Sequence, residues 1–168
     1  MSRLLLGVLL GVVLGTSAAQ AEQGEWQLGA QPAYVLAYAD GQAASGVGGL
    51  VHAAHAPSDS VRLQLLGAVA AHPGGSMSWL AAAGVAYVLD VVRIVPFFEC
   101  NLGLLGTLQP TDRVRLALGL GVGFGGDYLI SRRLSVGLAV RWAAALTDLQ
   151  GLPLYVVIGP RLTARFGL

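Results

Sequence analysis

Hydrophobic and polar positions alternate along the last third of the chain almost without error. From Leu152 to Leu168 the even positions read Leu152, Leu154, Val156, Ile158, Pro160, Leu162, Ala164, Phe166, Leu168. The odd positions between them read Pro153, Tyr155, Val157, Gly159, Arg161, Thr163, Arg165, Gly167. Leu134 to Leu146 behaves the same way, with Leu, Val and Trp in one register and Ser135, Gly137, Ala139, Arg141, Ala143, Ala145 in the other. A period of two places successive side chains on opposite faces of a strand. One face is wholly apolar, and the other carries small residues and an occasional arginine. A half-solvated sheet would instead show a regularly polar second face. Apolar outside and small inside is the pattern of a narrow closed barrel with lipid around it.

Turn residues divide the preceding chain in the same rhythm, and the pattern predicts eight strands. The segments run Glu25 to Asp40, Gly46 to Ala56, Val61 to His72, Ser78 to Leu89, Val92 to Gly106, Val114 to Tyr128, Leu134 to Leu146 and Leu152 to Leu168. Asp40-Gly41 is a hairpin signal. Pro57-Ser58-Asp59, His72-Pro73-Gly74-Gly75, Pro110-Thr111-Asp112, Ser131-Arg132-Arg133 and Asp148-Leu149-Gln150-Gly151 punctuate the rest. The Gly-rich second segment carries the faintest alternation. Pro32, Pro96 and Pro160 fall in the apolar register; each removes a ladder donor, and bulges are expected to absorb them. Eight strands make a barrel whose interior side chains just fill.

Aromatic residues mark the edges of the apolar band. Trp79 and Tyr87 share a face eight residues apart, about 20 Å along the normal for a tilted strand. Trp26 and Tyr38 bracket the first segment, and Trp142 and Phe166 sit near opposite ends of the last two. Such girdles lie at lipid–water interfaces. Phe97 and Tyr155 fall in the opposite, inward register.

Composition agrees with a lipid-facing wall. The 168 residues are 55% hydrophobic and 11% charged, with a mean hydropathy of +0.66; soluble domains carry about 25% charged residues. Beyond the N-terminus no uninterrupted apolar run reaches the ~18 residues of a spanning helix. A closed barrel is the other architecture that satisfies every backbone group in lipid. At the N-terminus Arg3, the apolar run Leu4 to Gly15 and Ala19-Gln20-Ala21 read as a secretory signal cleaved after Ala21. The expected organisation is a signal peptide over 1–21 and a barrel over 22–168. All ten basic residues are arginine, against nine acidic ones. With no basic stripe or like-charge block, no nucleic-acid partner is expected. Cys100 is the sole cysteine, in the apolar register, so no internal disulfide forms.

Chemistry-bearing residues gather in the inward register: Arg62, Arg93, Glu99, Asn101, Arg115, Asp127, Arg141, Arg161 and Arg165. Folding the fifth to seventh segments about their turns brings Glu99, Gly121 and Arg141 to similar height. An ion pair between Glu99 and Arg141 across Gly121 is expected, because a charge in a narrow lumen needs a partner. His52 and His55 splay to opposite faces and make a poor metal pair. Ser78 falls near His72 and Asp148 at one rim, but their spacing alone supports no catalytic assignment. No cofactor, metal or catalytic residue is expected. The glycines from Gly119 to Gly126 read as barrel wall, since no strand-to-helix transition follows them.

Signal, eight segments and the passage from Gly119 to Arg141 together resemble the small eight-stranded outer-membrane β-barrel superfamily, of the OmpA transmembrane-domain, OmpX and OmpW types. The resemblance is one of pattern over nearly the whole mature chain and identifies no subfamily. The family's last strand usually ends on an aromatic residue; here Phe166 and Leu168 hold the alternating positions, the final residue is Leu, and Thr163 stands where glycine is usual. The resemblance implies the outer membrane of a Gram-negative-type cell, outer-membrane lipid around the barrel, and chaperones and insertion machinery during biogenesis. It implies both termini in the periplasm. The outer loops are then about Gly41–Ser45, His72–Ser76, Thr107–Arg113 and Asp148–Gly151, all too short for an adhesive surface. A monomer is expected, with no appended domain after the last strand. Three roles follow in order: a structural barrel with a filled lumen; a narrow or gated path for small or hydrophobic solutes, as in OmpW-like proteins; and a lipid-modifying enzyme. The last ranks lowest because the outward His-x-Ser of the lipid A-modifying barrels does not occur.

Overall fold

A computed structural model describes residues 23–39, 42–89, 93–109, 114–147 and 154–167. The expected signal segment, Asp148 and the tips of several loops lie outside these residues. Eight strands follow one another in chain order: β1 (Trp26–Ala39), β2 (Gln42–Ser58), β3 (Val61–Ala71), β4 (Met77–Val88), β5 (Ile94–Leu108), β6 (Val114–Ser131), β7 (Leu134–Ala145) and β8 (Leu154–Phe166). Each pairs antiparallel with its sequence neighbours, and β1 pairs with β8 to close the barrel. No sheet edge is left open, as a lipid-embedded strand assembly requires.

The faintest expected segment is among the longest strands. β2 spans 17 residues, and residues 42–45, expected in a loop, belong to it. Its Gly and Ala residues give little hydropathy contrast. Its length is set instead by the β1 ladder, which runs from Trp26↔His55 to Ala39↔Gln42. β6 likewise continues past Tyr128 to Ser131.

Bulges do not absorb the prolines. The register shifts lie beside the tight turns, between His55 and Ser58 and between Leu129 and Ser131. At the β1–β8 seam the ladder lapses after Ala30↔Leu162 and resumes at Tyr34↔Ile158 without a shift. Pro32 and Pro160 fall opposite one another in that gap, so two missing donors share a single interruption.

The two faces separate as the alternation predicts. Trp26, Tyr38, Leu65, Tyr87, Phe98, Leu102, Leu116, Phe124, Leu138 and Phe166 are exposed around the outside, as is Cys100, while Trp79 and Trp142 are half-covered by neighbours. A soluble monomer seldom exposes an apolar patch beyond a few hundred Å². This one encircles the molecule, and lipid is the solvent that matches it.

The interior divides along the barrel axis. Toward the end holding the β1–β2, β3–β4, β5–β6 and β7–β8 connections, the lumen is filled by an apolar cluster that includes Val35, Leu50, Leu66, Leu105, Tyr155 and Val157. Alanines 33, 70, 117, 143 and 145 complete its wall. Toward the opposite end, where the termini meet the short β2–β3 and β6–β7 turns, the inner face is mostly polar and ionised. A smaller apolar cluster of Val88, Val95, Phe97, Leu129 and Ala139 lies on the β4–β7 side of that half.

Candidate functional site

Among the described residues seven acidic and basic side chains are buried in the polar half: Glu25, Arg62, Glu99, Asp127, Arg141, Arg161 and Arg165. The alternation aims each inward, and the lumen is too narrow for any of them to escape neighbours on facing strands. They form three tiers.

The first tier, next to the apolar half, ties four strands together. Arg141 on β7 meets Glu99 on β5 in bidentate fashion, Nε donating to Oε1 and Nη2 to Oε2, the latter at 3.2 Å. Its Nη1 donates to Oε1 of Gln31 on β1, and Gln31 Nε2 donates to the Ala139 carbonyl. Asn101 Nδ2 donates to Glu99 Oε1 at 3.2 Å, and Gln64 Nε2 on β3 donates to Asn101 Oδ1 at 2.9 Å. Bidentate carboxylate–guanidinium geometry is the strong form of this contact. Every second strand thus contributes one arm to a network crossing the bore.

The residue over which the pair closes is Gly123, not the expected Gly121. The register reads Glu99↔Gly123 and Gly123↔Arg141, one inward position further along β6 than counting back from the loops suggests. The extension of β6 to Ser131 and the bulge at its end account for the offset. A Cβ at Gly123 would lie 2.8 Å from Glu99 Oε1, 2.9 Å from its Cγ and 3.0 Å from Arg141 Cγ. At Gly121 the nearest atom is the Trp142 carbonyl oxygen, 3.2 Å away. Gly123→Ala is therefore expected to cost about 1–3 kcal/mol through overpacking, whereas Gly121→Ala leaves stability within about 1 kcal/mol. Urea unfolding of the two variants in micelles checks the contrast.

In the second tier Arg161 on β8 lies with Nε 3.2 Å from Asp127 Oδ1, an ion-pair distance without hydrogen-bond alignment. Its Nη2 donates to Thr163 Oγ1 at 3.3 Å and to His52 Nε2 at 2.9 Å. A guanidinium can only donate, so His52 accepts through Nε2 and its ring is neutral. The Arg161 guanidinium also stacks 4.6 Å above the Phe97 ring. The His52 ring lies where a Cβ on Gly29 would be. Inward glycines are thus placed beside inward large polar groups and make room for them.

The third tier, nearest the termini, holds Glu25, Gln27, Arg165 and Arg62. Gln27 Nε2 donates to Glu25 Oε1, and Arg165 Nε stands 3.7 Å from the same oxygen.

Of the expected lumenal residues, Arg62, Glu99, Asn101, Asp127, Arg141, Arg161 and Arg165 are buried in the barrel. Arg93 and Arg115 are not. Both have inward parity, but Arg93 precedes β5 and Arg115 is the second residue of β6. At the ends of strands the bore opens to water, and both side chains are exposed. Sequence reading missed Gln31, Gln64 and His52 as network members. Their signal was an amide or imidazole in an inward register otherwise filled by Gly and Ala.

At the opposite mouth the structure brings His72 and Ser78 together, Nε2 to Oγ 2.7 Å, both buried. His72 Nδ1 has no hydrogen-bond partner among the described residues, whereas a hydrolytic triad needs a carboxylate to orient the ring; Asp148, expected at the same rim, lies outside the described residues. The contact joins the two sides of the β3–β4 connection. His52 and His55 point to opposite faces, and His55 packs against Trp26 with ring centroids 4.7 Å apart. No group of three or more metal-ligating side chains occurs among the described residues.

No family model matches the sequence, and no curated protein matches it. The structure, however, is similar to several solved barrels. Neisserial surface protein A superimposes with a TM-score of 0.75 at 15% identity, over 86% of this chain and 100% of that one. Outer membrane protein OprG from Pseudomonas aeruginosa gives 0.64 at 10% identity, over 90% and 100%. Ail, the attachment invasion locus protein of Yersinia pestis, gives 0.60 at 10% identity, over 86% and 100%. Identities this low speak for the fold alone. With its closed antiparallel ring, its apolar outer wall and its polar core, the chain has the fold of the small eight-stranded outer-membrane β-barrels.

Proposed function

We propose that the protein is an integral outer-membrane barrel with a structural role, its lumen sealed by its own side chains. The observation that carries this reading is the cross-lumen network from Gln31 through Arg141, Glu99 and Asn101 to Gln64, which spans β1, β7, β5 and β3. Above it the apolar cluster fills the bore, and the space between them, lined by Asn101, Arg141 and Tyr155 among others, is about 20 Å³. That holds a single water at most. Export with loss of residues 1–21, delivery by periplasmic chaperones and the insertion machinery, and residence as a monomer in outer-membrane lipid belong to the same reading. It assigns no catalytic step to the chain.

Planar-bilayer recording of the purified barrel tests the seal. Wild-type protein is expected to add no conductance steps to the bilayer. Ohmic steps in the wild type would overturn the structural reading in favour of a narrow channel. Steps confined to Glu99→Gln would make the network a gate, as the OmpW-like alternative requires.

A further inference from the structure

The ionised residues of the lumen do not balance. Among the described residues four buried arginines, 62, 141, 161 and 165, face three buried carboxylates, 25, 99 and 127. Arg141 and Arg161 each have a carboxylate within 3.2 Å. The excess falls in the tier nearest the termini. Arg62 is 4% exposed and Arg165 3%, yet Nε and Nη2 of both have no hydrogen-bond partner among the described residues. Of the charges that act on Arg62, Arg165 acts most strongly, followed by Glu25, Asp127 and Arg161.

Register places the two arginines in the same tier of the lumen. Arg165 pairs with Gln27 across the β8–β1 seam. Next to it, Glu25 and Ala56 are joined backbone to backbone, Ala56 N donating to Glu25 O at 2.9 Å. Ala56 follows His55, which pairs with Leu63, the residue after Arg62, and the register shift of the β2–β3 ladder begins there. Ala56 thus stands between Glu25 and β3 with a side chain no larger than a methyl group. Buried guanidinium donors without acceptors carry a large desolvation penalty, which a ligand that accepts hydrogen bonds and brings one negative charge would remove.

We infer that Arg62 and Arg165 form a binding site for a small monovalent inorganic anion of the halide class, reached from the end of the barrel where the termini meet. One such ion brings the lumen to neutrality and accepts from both guanidinium groups. Larger anions are excluded because both arginines are almost wholly buried.

The test compares thermal unfolding of the mature barrel in zwitterionic micelles in sodium chloride, sodium bromide and sodium isethionate at equal ionic strength, so that screening is the same. Chloride and bromide are expected to raise the midpoint over isethionate, with a saturable dependence on halide concentration. Two variants should lose that difference. Arg62→Met removes the excess charge; Ala56→Asp keeps both arginines and supplies a fixed anion between them. Should Arg62→Met fail to fold, Ala56→Asp carries the comparison. Crystals soaked in bromide are expected to show an anomalous peak within hydrogen-bond reach of Arg62 and Arg165. Equal wild-type midpoints in halide and isethionate, a halide effect persisting in Ala56→Asp, or bromide found only elsewhere would each overturn the site.

Discussion

Glu99→Gln and Arg141→Met are each expected to destabilise the folded barrel by about 3–5 kcal/mol, while the double variant loses less than the sum. The cause is an asymmetry between pairing and isolation. Either single change leaves a buried charge facing a neutral group; the double change leaves none. The wider network sharpens the difference between the two singles. Without Arg141, Gln31 loses its donor as well; without the Glu99 charge, Asn101 still has Gln64. Arg141→Met should therefore be the costlier. A double-mutant cycle by urea unfolding in micelles measures the coupling, and additive effects would show that the two side chains act independently.

Leu138→Arg is expected to cost about 2–4 kcal/mol and to impair insertion, because a charge near the midplane of the lipid face cannot be solvated. Leu138 is exposed on the outer wall, opposite Pro160 on β8 and Gly126 on β6. Val156→Arg on the same face should behave alike but more mildly, since Val156 is half-covered by neighbours. The fraction that shifts on heat-modifiability gels after refolding into lipid gives the readout. Leu138→Arg inserting as well as wild type would mean the outward register does not face lipid.

An inward control needs more than alternation. Parity alone puts Ala143 in the lumen and predicts that an arginine there is tolerated, solvated or paired. Ala143 instead lies in the apolar cluster with Leu105 and Tyr155. Ala143→Arg there meets overpacking as well as desolvation, and it is expected to destabilise too.

Which side of each strand meets lipid was legible in the chain itself. A period of two survives any error in strand ends, because slipping a boundary does not change parity. The same parity put Glu99 and Arg141, Asp127 and Arg161 inward, and Trp26, Tyr87 and Phe166 outward. Height along the barrel was another matter. The partner of Glu99 on β6 depends on where β6 ends and on the bulge between Leu129 and Ser131, and no residue type announces either; hence Gly123 rather than Gly121. Arg93 and Arg115 have inward parity but sit where the bore is open, so burial was decided by position in the closed ring. The length of β2 came from its partner β1, since Gly and Ala carry no hydropathy signal of their own. The division of the lumen into an apolar half and an ionised half belongs to the tertiary structure alone. It arises when eight inward registers, each nearly featureless, are brought to a common height around one axis, and distances across the bore then decide which charge meets which.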